Sequence, residues 1–192
     1  MISYLLSAPA TEPVTLDEAR AFVRMDDTGE DALLTTLISA ARLHVESVTA
    51  RALLSQGWRV VLDAWPPGFC IALPVAPALS LTAITAYDLD GNGTAMPLAD
   101  VLVDGQGTPP RLFLPADLGN GVVLRDRQAI EIDYVAGYGT NPTDVPATLR
   151  QAVLLLIGYW FENRDSVIIA GSGSVIPAGL DQMIAPYRAV RL

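Results

Sequence analysis

Three stretches and two single residues of this chain have types that could do chemistry. Asp27-Thr28-Gly29 has the letters of an aspartic-protease active-site turn. That chemistry needs two carboxylates sharing a proton in apolar β hairpins. Here the triplet lies between two helical patterns beside Asp26, Glu30 and Asp31, so it reads as a helix-capping linker. Asp88-Leu89-Asp90-Gly91-Asn92-Gly93 matches the first half of a calcium loop, with oxygen ligands at alternate positions. The bidentate glutamate that such a loop needs falls on Ala99, and no helix flanks the run, so a hairpin turn is expected. Gly137-Tyr138-Gly139 lies between a strand and a helix, as a phosphate-binding loop would. It lacks a third glycine or a Gly-Lys-Ser/Thr run, and Asn141-Pro142 interrupts it, so it reads as a strand-to-helix turn. His44 is the only histidine and Cys70 the only cysteine. No second imidazole or thiol is present to share a metal or activate a nucleophile. His44 is expected to be partly buried or at an interface, and Cys70 to be a small buried hydrophobe in a strand. No carboxylate pair is marked out by spacing, and the expectation is no enzyme, no cofactor and no metal site.

The elements that must position these residues fall into three blocks. Thr15-Leu16-Asp17-Glu18 is a capping box, opening a helix to about Met25 with Leu16, Ala19, Phe22 and Val23 inward. A second helix is expected from Glu30 to Arg51. Its stripe is Leu34, Leu37, Ile38, Ala41, Val45 and Val48, with Arg42, Glu46 and Thr49 facing out. From Gln56 the hydrophobic period changes to two. Strands are expected at Trp58–Asp63, Phe69–Leu73, Leu79–Tyr87, Met96–Val103, Arg111–Leu114 and Ala129–Val135, punctuated by prolines and glycines. Ile130, Ile132 and Tyr134 alternate with Glu131 and Asp133, the pattern of a sheet with one wet face.

The third block is the most apolar segment, Val145 to Arg164. Pro146 stands where a first-turn proline is tolerated, and Leu149, Val153, Leu156 and Trp160 recur at helical spacing, widened by Leu154, Ile157 and Phe161. This is read as a central helix buried on most sides. Its apolar run is too short for a bilayer span, which needs roughly twenty residues. Ala170-Gly171-Ser172-Gly173-Ser174 is read as a flexible loop, a short helix from about Ala178 to Ala185 ends at Pro186, and a tail follows. Residues 1–13 read as an extended arm. The fold class is therefore α+β in one 192-residue domain: a helical core (14–55 and 145–186), an antiparallel β insertion (56–140) and a C-terminal tail (187–192).

Composition narrows the functions. Half of the residues (51%) are hydrophobic and the mean hydropathy is +0.37, more apolar surface than a monomer of this size readily covers, so subunit interfaces are expected. The net charge is −9 and every basic residue is an arginine. Such a chain is poorly suited to gripping phosphate backbones, which needs clustered cations. The opening Met1-Ile2-Ser3-Tyr4-Leu5-Leu6-Ser7 lacks a basic region and a signal-length apolar run, so an intracellular site of synthesis is expected.

Taken in order, several stretches resemble the head–tail connector (adaptor) proteins of long-tailed phages and phage-like gene transfer agents. They are Val14-Thr15-Leu16-Asp17-Glu18-Ala19, Glu30-Asp31-Ala32-Leu33-Leu34 into Ala40-Ala41-Arg42, Thr49-Ala50-Arg51-Ala52-Leu53, Leu73-Pro74 and the Thr82-to-Asp90 strand. After them come Asp133-Tyr134-Val135-Ala136-Gly137-Tyr138-Gly139, Val145 to Ala152 into Trp160-Phe161-Glu162-Asn163-Arg164, and Ile184-Ala185-Pro186-Tyr187-Arg188. The resemblance implies a virion component at the head–tail junction, made in the bacterial cytoplasm. It implies about twelve copies in a ring beneath the portal protein, extending its DNA channel towards a tail-side stopper or tail-terminator protein. DNA would pass without sequence-specific binding, and no membrane is involved. It also points to the C-terminal segment as the portal contact, with Tyr187, Arg188, Arg191 and Leu192 as candidates; tyrosine and arginine are common interface anchors. Another phage morphogenesis role, as a tail-completion ring or packaging accessory, is the first alternative. A small-ligand or calcium-binding β module is the second, which requires a concave site with converging polar groups in residues 56–140 and, for calcium, Asp88 and Asp90.

Overall fold

The computed structural model describes residues 1–163 and 179–188. The chain has an α+β fold and divides into two compact units, each made of two chain segments.

The first unit, residues 1–9 and 55–138, is built of β-strands with one 3-10 turn at Pro67–Phe69. Its larger sheet is antiparallel, in the order β1 (Ile2–Ser7), β2 (Gln56–Leu62), β8 (Ile130–Ala136), β4 (Ala78–Tyr87), β5 (Gly93–Ala95). A second antiparallel sheet has the order β3 (Cys70–Ala72), β7 (Arg111–Phe113), β6 (Leu102–Asp104). Register explains the alternation in β8. Ile132 lies between Val60 and Ile84, and Tyr134 between Trp58 and Leu81. Ile130, Ile132, Val60 and Ile84 are almost entirely buried, with Ile71, Leu73 and Leu112 completing the unit's core. Tyr134 sits in that core with its hydroxyl accepting from the Val75 amide at 3.3 Å. Burial raises the pKa of this hydroxyl well above its usual value.

Two strand expectations need correction here. The opening residues are not merely an extended arm, because Ile2–Ser7 is hydrogen-bonded to β2 as an edge strand. The strand expected over Met96–Val103 is not formed as such, and two short ones stand at its ends. Gly93–Ala95 pairs with β4, and Leu102–Asp104 pairs with β7. Pro97 has no N–H to give a ladder, and a turn in which the Val101 amide bonds the Leu98 carbonyl separates the two. Gly105 marks a close crossing, since a Cβ there would stand 2.0 Å from the Ala78 carbonyl oxygen.

The second unit, residues 10–54 and 139–192, is helical in its described part. Its helices are α1 (Leu16–Phe22), α2 (Asp31–Thr49), α3 (Ala147–Glu162) and α4 (Leu180–Ile184). The Thr15–Glu18 capping box is present in both directions, at 3.2 Å and 2.8 Å. α1 ends three residues before Met25. Arg24 turns left-handed (φ 56°), and the Met25 amide bonds the Arg20 carbonyl, which is the hydrogen-bond pattern of a Schellman stop. In α3, Pro146 occupies the cap and Leu149, Ala152, Val153, Leu156 and Ile157 are buried. Leu154, Leu155, Tyr159, Trp160 and Phe161 are only half-buried, so the helix has one flank less enclosed than its uniform apolarity predicts. Gly158 lets the Phe22 ring lie against the helix, since a Cβ there would come within 2.8 Å of it.

The outward face expected for Arg42, Glu46 and Thr49 is wrong. Arg42 is 8% exposed and Thr49 1%. The Arg42 guanidinium bonds Glu12 at 2.7 Å and Glu46 at 2.8 Å, while Glu46 also accepts from the Leu53 amide. The Thr49 hydroxyl donates to the Val45 carbonyl. Helical periodicity counts polar residues as outward, but here partners one turn away in the helix, and Glu12 from outside it, satisfy them inside.

Candidate functional surfaces

The polar face of the larger sheet is a connected row of side chains rather than scattered charges. Cross-strand register brings Tyr4, Arg59 and Asp133 into line. Arg59 forks onto Asp133 at 2.6 and 2.7 Å and reaches Glu131 at 2.7 Å. The Tyr87 hydroxyl donates to Glu131 at 3.0 Å, and the Arg125 guanidinium stacks 4.4 Å over the Tyr87 ring. The Asp133 hydrogen bond raises the Arg59 pKa against the opposing effect of burial, with Tyr4 and the two carboxylate charges adding to it. Tyr87 is raised chiefly by its bond to Glu131. The arginines are spent on internal partners, which leaves this face poorly suited to binding phosphate.

Each chemically suggestive stretch has a structural place. Asp88 closes the β4–β5 hairpin, accepting from the Asp90 and Asn92 amides at 3.0 and 2.8 Å and from the Asn92 side chain at 3.1 Å. Those Asn92 bonds hold its carboxyl below the usual range. Asp27 accepts from the Gly29 amide in the linker before α2. Asn141 and Asp144 form a capping box around a single 3-10 turn after Gly139. His44 is half-buried, edge-on to Trp160 at 6.0 Å, and its Nε2 meets no hydrogen-bond partner among the described residues. Cys70 is half-buried in β3. No cluster of three or more metal-ligating side chains occurs among the described residues. None of the described helices is long and apolar enough to cross a membrane.

Of the four candidate contact residues, Arg191 and Leu192 lie outside the described residues, as does the Ala170–Ser174 loop. Tyr187 is half-buried in a 3-10 turn after α4. Arg51 stacks 5.9 Å over its ring and donates from Nε to its carbonyl at 2.7 Å. Arg188 is exposed, with its guanidinium 2.5 Å from Asp181. Sequence inspection missed Arg51 as the residue that anchors this segment. The signal, a left-handed Ala50 ending α2 just before it, is visible only in the backbone.

Two clefts flank β5. One, of 340 Å³, is bounded by Thr94, Met96, Pro97, Leu118, Asn120 and Val122 among others. The other, of 330 Å³, runs between the Asp88–Asp90 turn and Gly121–Val123 and shares Thr94. Their walls mix apolar side chains with aspartates.

Neither a known protein-family profile nor a curated protein matches the chain. Solved structures do. A protein in the neck of an empty gene transfer agent particle, computed with C6 symmetry, is 29% identical with a TM-score of 0.83. Proteins in the virion of a native gene transfer agent particle and in its neck computed with C12 symmetry are also 29% identical, each with a TM-score of 0.81. In all three the match covers 100% of this chain and 97% of the other. Likeness over the whole length of both chains supports a structural protein of the phage or gene transfer agent neck.

Proposed function

We propose that this chain is a head-to-tail adaptor: a non-catalytic neck protein that forms a ring under a portal protein, extends its DNA channel and joins it to tail-side proteins. The observation that carries this reading is the end-to-end match to neck proteins in symmetric particles. Residue chemistry agrees with it. The suggestive motifs serve as turns and caps, and Arg59 and Arg125 of the β unit are paired internally. A net charge of −9 per copy, repeated around a lumen, would repel phosphate and let DNA slide. The ring is proposed as a dodecamer. In this reading the helical segments form the core that carries the β insertion, and the segment around Tyr187, Arg188, Arg191 and Leu192 meets the portal. The Arg51–Tyr187 stack would hold the base of that segment while Arg188 stays exposed.

The test is the mass of the purified protein with and without its co-expressed portal ring. A multi-copy complex on the portal is expected, and it should be weakened by deleting residues 186–192. A stable monomer that binds no portal would overturn the reading. Loss of function on Asp88→Ala with Asp90→Ala, in a protein that still folds and assembles, would favour the calcium-binding alternative.

A further inference from the structure

The five-stranded sheet has two free edges, and they are complementary. At one end, β1 pairs with β2 alone among the described residues. All six of its residues are exposed, including Ile2 (56%), Tyr4 (43%), Leu5 (43%) and Leu6 (46%). Edge strands are ordinarily protected by charged side chains, prolines or bulges. Ile2–Ser7 has no charge and no proline, and its one irregularity lies past Leu5, so Ile2–Leu5 keep regular register. At the other end, β5 pairs with β4 alone among the described residues, and all three of its residues are exposed. The two clefts open beside it, and Leu89 (68% exposed) and Val123 (69%) line the one next to the Asp88–Asp90 turn. One edge thus offers protruding apolar side chains, and the other offers unpaired backbone beside hollows whose walls mix apolar side chains with aspartates.

We propose that β1 of one copy adds to the β5 edge of a second copy, continuing the sheet across the boundary and seating β1 apolar side chains in the clefts beside β5. The two surfaces lie at opposite ends of one sheet, so the contact is heterologous. Repetition of such a contact closes a ring when the rotation allows it, and strand addition supplies both hydrogen bonds and side-chain specificity. This inference rests on the ring reading above and names the surface that would build the ring. The symmetric necks in which similar chains occur make a second copy the occupant.

The test uses the full chain assembled on its co-expressed portal, in a Cys70→Ser background. Ser3→Cys combined with Thr94→Cys, treated with a short bismaleimide, should give covalent multimers. Within one chain these positions are four strand spacings apart, roughly 19 Å, too far for the cross-linker, so any link joins two copies. Independently, Ile2→Lys with Leu6→Lys should raise the concentration for half-assembly about tenfold or more by charging the edge, with circular dichroism and monomer melting unchanged. A ring that forms without cross-linking and tolerates the lysines overturns the edge contact but leaves the ring reading standing. Covalent dimers from Ser3→Cys alone would mean that β1 pairs with itself, which also overturns it. A wild-type chain that never assembles would sink the ring reading, and the edge contact with it.

Discussion

Each unit holds an arginine between two carboxylates, and the two arrangements differ in depth. In the helical unit the Arg42 side chain is 9% exposed, with Glu46 at 12% and Glu12 at 30%. In the β unit Arg59 is 26% exposed, with Glu131 and Asp133 below 20%. Burial opposes the charge on Arg42, and its bonds to Glu12 and the charges of both glutamates more than offset that, so its pKa is raised. Arg59 is raised chiefly by its hydrogen bond to Asp133. The same chemistry therefore does different work. The Arg42 group specifies how residues 12, 42 and 46 pack, whereas the Arg59 group finishes the solvated face of a sheet whose stability comes from the apolar side. The two units also expose different things: the β unit leaves both edges of its larger sheet open, while the described helical residues enclose one stripe and leave a half-buried flank on α3.

Substitutions can break or sharpen this comparison. The largest effect should come from the helical core. Leu156 is fully buried, and Leu156→Ala should cost about 4 kcal/mol in denaturant unfolding by leaving a cavity. If it costs no more than a surface change, α3 is not the core element described here. Next, Arg42→Met should cost about 3 kcal/mol because two carboxylates lose their partner in a largely buried place. Arg59→Met should cost less, about 1 kcal/mol, since the Arg59 side chain is more open to water than that of Arg42. Equal losses for the two arginines would erase the distinction in depth. High salt should narrow the Arg59 loss more than the Arg42 loss, because screening acts on exposed pairs.

The smallest effect is at the α1 cap, where Glu18→Gln should cost ~0.5 kcal/mol at neutral pH. The Thr15 backbone hydrogen bond is the main cause lowering the Glu18 pKa below 4.5, with Arg150 contributing against burial. A lowered folded-state pKa gives stability that is present above the unfolded value and lost as pH falls through the folded one. The melting difference between wild type and Glu18→Gln should therefore be constant above about pH 5 and shrink below 4.5. A difference that grows on acidification would contradict the cap assignment.

Local rules made much of the fold legible. The Thr15–Glu18 box, the Asp88–Gly93 hairpin, the alternation in β8 and the stripe of α2 each depend on neighbours within a few residues, and each appears where spacing puts it. The errors have two causes. Arg42 and Glu46 read as outward because their partners, Glu12 and the Leu53 amide, lie outside the helix that sets the periodicity. Met96–Val103 read as one strand because apolar residues continue through Pro97, although a ladder cannot. The likeness to neck proteins, foreshadowed by ordered fragments in the sequence, is carried by agreement over the whole chain.

The sequence by itself determined element types, turn chemistry, an acidic charge and an excess of apolar surface, because these follow from composition and short-range spacing. Only the tertiary structure decided that Ile2–Ser7 is an edge strand rather than a free arm, that Arg51 holds Tyr187, and that the sheet ends in one protruding edge and one hollowed edge. Those are pairings between residues far apart in the chain. They form where burial and hydrogen bonding outweigh the entropy of closing long loops, which no local pattern records.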